Sequence, residues 1–177
     1  SLHSAVASEN EKMRQYLIEN GSNNKEKNFE GNTPLHIAVV SKNEKMIQYL
    51  IEKGSNIEEK NLEGNTSLHI AVEAEYIETM NYLIENGSNI EEKNLEGNTS
   101  LHIAVASENK KMIQYLIEKG SNIEEKNFEG NTAIHMALVL ENEKLIKYLI
   151  EKGSNIEEKN LEGNTPLHIA AASDNDK

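Results

Sequence analysis

Across residues 28–60 the apolar positions follow a helical spacing twice, with a polar break between. Leu35, Ala38 and Val39 fall at i, i+3 and i+4, and Met46, Ile47, Leu50 and Ile51 then recur against polar Glu44, Lys45, Gln48 and Glu52. The pattern predicts two short helices, the first over roughly residues 34–41 and the second amphipathic. Thr33 is placed to N-cap the first helix, with Pro34 at its opening position. Gly54 ends the second, where a residue without a β-carbon suits the C′ position, and Ile57 leads the chain onward. Between the helices Asn43 is the residue expected to take a left-handed conformation. Ahead of them, Asn28-Phe29-Glu30-Gly31-Asn32 is rich in residues that tolerate positive φ and predicts a tight, hairpin-like finger.

This unit recurs. Near-copies of Gly31-Asn32-Thr33-Pro34-Leu35-His36-Ile37-Ala38 begin at Gly64, Gly97, Gly130 and Gly163, always 33 residues apart, and all six histidines (His3, His36, His69, His102, His135, His168) stand on that ladder. A fixed period of this length is the mark of stacked repeats. The chain reads as one array over residues 1–177: a partial repeat at 1–27, full repeats at 28–60, 61–93, 94–126 and 127–159, and a partial repeat at 160–177. It begins inside a first helix and stops before a second, so it is expected to be a piece of a longer array. Each helix is too short to be stable alone, and stacking supplies the cover its apolar face needs. Small Ala38, Ala71, Ala104, Ala137 and Ala170 let first helices approach closely, while Tyr49, Tyr82, Tyr115 and Tyr148 fill wider gaps at the edge of the second-helix layer.

Composition narrows the functional classes. With 18 basic and 30 acidic residues the formal charge is −12, and Arg14 is the one arginine, so a phosphate-gripping surface has little to build on and nucleic acid is not an expected partner. There is no cysteine, which removes disulfides and thiolate metal sites and permits a reducing compartment. The longest apolar stretch, Met136 to Leu140, is far short of the roughly 20 residues of a membrane span. No signal-peptide pattern is seen, so a cytoplasmic monomer is expected. The glycosylation patterns at Asn20-Gly21-Ser22 and Asn86-Gly87-Ser88 carry no weight without a secretory signal.

Gly-Asn-Thr-Pro-Leu-His-Ile-Ala, followed by Tyr-Leu-Ile-Glu-Lys-Gly-Ser-Asn-Ile, resembles the ankyrin repeat over the whole chain. The resemblance implies an all-α solenoid of helix-turn-helix units with protruding β-hairpin-like fingers, its concave side made by fingers and first helices. It also implies histidines that hydrogen-bond their own threonine or the backbone of adjacent hairpins, and a role in binding other proteins. Some positions depart from the family pattern. Where ankyrin repeats usually place Gly between the helices, this chain has Glu9, Lys42, Glu75, Glu108, Glu141 and Asp174, mostly followed by Asn, which is expected to absorb the strain. Ser67, Ser100 and Ala133 replace the proline and should loosen those helix starts slightly. The unit with Tyr76-Ile77-Glu78-Thr79 departs most, and is expected to expose an aromatic and a β-branched residue in a turn.

Candidate chemistry is sparse. One histidine per repeat, on helices about 8–10 Å apart, cannot converge on a metal ion that needs bonds of about 2 Å, so no metal is expected. Thr33 with His36 lacks the oriented base and oxyanion site of a nucleophile, and no phosphate loop is present, so neither catalysis nor a cofactor is expected. Binding has better candidates. Phe29, Leu62, Leu95, Phe128 and Leu161 put an apolar residue at every fingertip, where a row is unusual on a surface, although neighbouring fingers could cover one another. Glu63, Glu96 and Glu129 stand beside the tips, and the pairs Glu58-Glu59, Glu91-Glu92, Glu124-Glu125 and Glu157-Glu158 add charge that could steer a basic partner, against partial neutralisation by Lys60, Lys93, Lys126 and Lys159. On the concave floor Val139 and Leu140 make the most apolar patch, and Tyr76 is a further contact candidate. The expected function is a non-enzymatic scaffold that binds a protein through fingertips and concave floor. An architectural spacer or elastic stalk, and the targeting arm of a larger enzyme, are the alternatives.

Overall fold

The computed structural model describes residues 23–173. Readings that fall on His3, Glu9, Arg14, the sequon at Asn20, most of the partial repeat 1–27 and Asp174 lie outside the described residues. Among the described residues there are nine helices and no strands: α1 (Pro34–Val40), α2 (Glu44–Glu52), α3 (Ser67–Glu73), α4 (Ile77–Glu85), α5 (Ser100–Ala106), α6 (Lys110–Glu118), α7 (Ala133–Val139), α8 (Glu143–Glu151) and α9 (Pro166–Ser173). None of them is long and apolar enough to cross a membrane. The chain divides between Asn89 and Ile90 into two compact units.

In the first unit α1 packs on α2 and α3, and α3 packs on α4. Its core is the apolar face read from the spacing, with Leu35, Val39, Ile47, Leu50, Leu68, Met80 and Leu83 all buried. In the second unit α5 packs on α6 and α7, and α7 packs on α8 and α9, around Leu101, Val105, Met112, Ile113, Leu116, Ile134 and Leu149. Each such aliphatic side chain contributes about 1.5–3 kcal/mol by leaving water. Ala38, Ala71, Ala104 and Ala137 have no exposed surface, as close approach of first helices requires, whereas Ala170 on α9 is only half-buried. Each second helix stops as expected: Gly54 takes φ 79°, its N–H donates to the Ile51 carbonyl, and the Ser55 N–H donates to the Leu50 carbonyl.

The turn between the helices differs from the sequence expectation. Asn43 has φ −89°, and its Oδ1 accepts the Met46 N–H at 3.1 Å, so it N-caps α2. Asn109 and Asn142 cap α6 and α8 in the same way. The left-handed residue is the one before: Lys42, Glu75, Glu108 and Glu141 have φ between 52° and 60°. An asparagine oxygen satisfies an otherwise orphaned helix N–H, worth about 1 kcal/mol, and that gain holds Asn in a conformation where it cannot also absorb the strain. Glu141→Gly is therefore expected to stabilise the protein by about 0.5–1 kcal/mol, since relief of roughly 1–2 kcal/mol of left-handed strain outweighs the extra chain entropy of glycine. A lower midpoint in urea would show the turn to be unstrained.

The irregular unit also differs from expectation. Tyr76 and Ile77 are half-buried rather than exposed, and the Lys42 ammonium lies 3.8 Å from the centroid of the Tyr76 ring. Tyr76 offers no side-chain cap, so α4 starts without one.

Helices α3, α5 and α7 begin at the same register as α1 although they lack its proline. Thr99, ahead of Ser100, has φ −82° and ψ 171°, close to the −79° and 168° of Thr33 ahead of Pro34. The Ser100 hydroxyl is buried with no hydrogen-bond partner. Ser100→Pro should then raise stability by about 1 kcal/mol, by restricting the unfolded chain and removing a buried hydroxyl. Chemical denaturation measures it, and a loss of stability would mean that this N–H or hydroxyl has a native role.

Candidate functional site

Each finger is built by its leading asparagine. The Asn127 Oδ1 accepts the N–H groups of Glu129 at 3.1 Å and Asn131 at 2.9 Å, while the Gly130 N–H donates to the Asn127 carbonyl and the Asn127 N–H to the Asn131 carbonyl, both at 3.0 Å. Asn28, Asn61, Asn94 and Asn160 do the same in their fingers. The same residue also joins finger to finger. Asn127 Nδ2 donates to Asn98 Oδ1 at 3.1 Å and Asn160 Nδ2 to Asn131 Oδ1 at 2.9 Å, and in the first unit Asn61 Nδ2 reaches Asn32 Oδ1 at 3.1 Å. Tip N–H groups donate to the preceding finger: Leu62 to Glu30, Phe128 to Glu96, and Leu161 to Glu129. In the sequence these asparagines mark only turns.

The histidines lock the fingers to the helices. In the first unit the Thr33 N–H donates to His36 Nδ1 at 3.1 Å, with Thr33 Oγ1 2.8 Å from the same nitrogen. Nδ1 must therefore accept, so the proton sits on Nε2 and is donated to the Asn65 carbonyl at 3.1 Å. His102 repeats this in the second unit with Thr99 and the Asn131 carbonyl, and His135 with Thr132 and the Glu158 and Asn164 carbonyls. Both ring nitrogens are thus engaged.

Burial pushes the His36 and His102 imidazoles below their ordinary range. A base whose folded pKa is lowered contributes stability that is complete above about pH 6.5 and is lost as pH falls through the folded value. Unfolding near pH 6 is therefore expected to take up protons, and by a smaller amount in His102→Gln. Calorimetry in buffers of different ionisation heat reads this directly; equal uptake in the two proteins would mean that His102 is already charged in the fold.

The paired glutamates are largely used within the fold. Glu91 Oε1 accepts the Asn122 N–H and Glu124 Oε1 the Asn155 N–H, both at 2.8 Å, and Glu58 Oε1 accepts the Asn89 N–H at 2.9 Å. Their neighbours meet lysines from the repeat before: Glu59 with Lys27 at 3.5 Å, Glu125 with Lys93 at 2.6 Å and Glu158 with Lys126 at 2.5 Å. Those lysines hold the Glu125 and Glu158 carboxyls below the usual range, while burial pushes Glu91 up. The fingertip glutamates, by contrast, all face solvent. Glu30 and Glu63 stand in the first unit and Glu96, Glu129 and Glu162 in the second, each with one carboxylate oxygen oriented by the amide of the asparagine two residues on.

The structure places the candidate contact residues in two groups. In the second unit the tips Leu95 (68 % exposed) and Phe128 (61 %), with Glu96 and Glu129 beside them, face the floor residues Val139 (66 %) and Leu140 (38 %) across a groove of about 550 Å³. Ala106 and Met136 complete its floor. A second hollow of about 480 Å³ continues it between Phe128 and Leu161, over Val139 and Ile169. In the first unit Phe29 is fully exposed and Leu62 is 68 % exposed. Glu63 stands beside Leu62, and Tyr76 lies under Lys42. That unit also holds a cleft of about 270 Å³ between α2 and α4, over Ile47, Thr79 and Tyr82, with Glu44, Glu78 and Glu85 at its edge. Its sequence signal was Thr79, which stands one period from Met46 and Met112 and leaves space where they fill it.

Helix pairs joined by histidine-locked fingers define a helical repeat protein. The family model for "Ankyrin repeats (3 copies)" matches residues 1–61, 54–127 and 101–177, so the chain belongs to the ankyrin repeat family. The crystal structure of the ankyrin repeat domain of Bcl-3, described as a unique member of the IkappaB protein family, is similar in fold. It has a TM-score of 0.87 and 24 % identity, over 98 % of this chain and 80 % of that one. No curated protein matches. Ankyrin repeats are in general non-enzymatic modules of protein–protein interaction.

Proposed function

We propose that this chain is a scaffold that holds a partner protein in the groove of its second unit, between the tips Leu95, Phe128 and Leu161 and the floor of Val139 and Leu140. One observation carries the proposal: apolar side chains that stay largely exposed in the fold converge on one concave surface, with Glu96, Glu129 and Glu162 around it. Desolvating such a cluster supplies affinity, and the surrounding carboxylates favour a basic partner and speed its approach. A cytoplasmic location belongs to the same proposal, supported by a chain without cysteine. A spacer needs uniform units, and the finger ladders are uniform, but a spacer gives no reason for Val139 and Leu140 to face solvent.

A photo-crosslinking residue placed at position 128, compared with one at Lys147 on the exposed face of α8, tests this in native lysate. Position 128 should capture a defined protein, and 0.5 M salt should slow its capture. Lys147, whose side chain is 75 % exposed, should not capture that protein. Capture that is equal at both positions, or absent from position 128, would leave the spacer reading ahead.

A further inference from the structure

We infer that the occupant of this groove is a basic amphipathic α-helix; the inference rests on the binding role proposed above and names the kind of segment that fills it. An extended segment binds by adding its backbone to an open edge, and the fingers that carry Phe128 and Leu161 offer it no open N–H edge. In the finger that divides the groove every N–H is already donated: Asn127 to the Asn131 carbonyl, Phe128 to the Glu96 carbonyl, Glu129 and Asn131 to Asn127 Oδ1, Gly130 to the Asn127 carbonyl, and Thr132 to His135 Nδ1. The next finger is closed in the same way, with Leu161 donating to the Glu129 carbonyl and Glu162 and Asn164 to Asn160 Oδ1. A strand laid along these fingers would find no free N–H there for its own carbonyls. A helix satisfies its own backbone and needs only side-chain contacts, and apolar side chains flanked by carboxylates are what the groove presents.

The spacing agrees. Two hollows share Phe128 and Val139 and are one repeat apart, a step of roughly 8–10 Å for packed helices. Seven residues of a helix rise about 10.5 Å, so apolar residues at i and i+7 reach successive hollows, with one at i+3 or i+4 between them. Lysine or arginine on the flanks of that stripe then faces Glu96, Glu129 and Glu162.

The test is selection of a displayed library of random 16-residue peptides on the whole chain, with Val139→Ser/Leu140→Ser as the counter-target. Enriched peptides should carry apolar residues at i, i+3 or i+4 and i+7, with at least two Lys or Arg. As synthetic peptides they should gain helical circular dichroism on binding and bind at least tenfold more weakly to the double variant. A central proline should weaken them at least tenfold. Groove-dependent peptides that have no helical period and tolerate that proline would overturn the helix inference while leaving the groove in place. Peptides that bind the double variant equally well, or no enrichment, would overturn both.

Discussion

Gly97→Ala is expected to destabilise the protein by about 2–5 kcal/mol. Gly97 has φ 76°, and an added β-carbon would fall on the Phe128 backbone nitrogen and within 2.5 Å of its ring Cδ1. The Phe128 finger cannot simply step aside, because the Phe128 N–H holds the Glu96 carbonyl at 3.1 Å and Asn127 holds Asn98. Left-handed strain of roughly 1–2 kcal/mol adds to an overpacking cost of about 1–3 kcal/mol. Gly120 is the internal comparison: it has φ 98° with open space around it, so Gly120→Ala carries strain alone and should cost about 1–2 kcal/mol. Urea unfolding of the two variants reads the difference. Equal losses would mean that neighbouring fingers do not touch at Gly97.

The second large effect is on binding. Phe128→Ser, Val139→Ser and Leu140→Ser together should leave the fold nearly intact, because substitutions at exposed positions usually change stability by about 0.5 kcal/mol or less each. Affinity for the protein captured at position 128 should fall at least a hundredfold, since truncating a hot-spot side chain removes on the order of 1–2 kcal/mol. Loss of stability in step with loss of binding would make these packing residues. Titration calorimetry with a parallel thermal melt separates the two.

The helices were legible because their apolar period is a property of one repeat, and Leu35, Ile47 and Leu50 are buried where that period put them. The family signature likewise carried the histidine bonds. What escaped depended on another repeat or on competition between roles for one residue type. Asn43 could have taken either the cap or the left-handed turn, and only the geometry shows the cap prevailing. Tyr76 read as exposed because Lys42, which covers it, belongs to the repeat before. The paired glutamates read as free charge for the same reason: Lys93 reaches Glu125 from 32 positions away. In the groove, Val139 and Leu140 stood out as an apolar pair with Met136 one turn before them, but nothing local showed that Ala106 and Ile169, from the neighbouring repeats, would share their surface.

The central claim is that one groove, in the second unit, carries this chain's binding. Amide hydrogen exchange of the chain, alone and saturated with the protein captured at position 128, tests it most directly. The finger segments 94–99, 127–132 and 160–165 and the end of α7 should exchange more slowly in the complex, while the outward faces of α6 and α8 keep their rates. Protection confined to α6 and α8, or to the first unit, would contradict it.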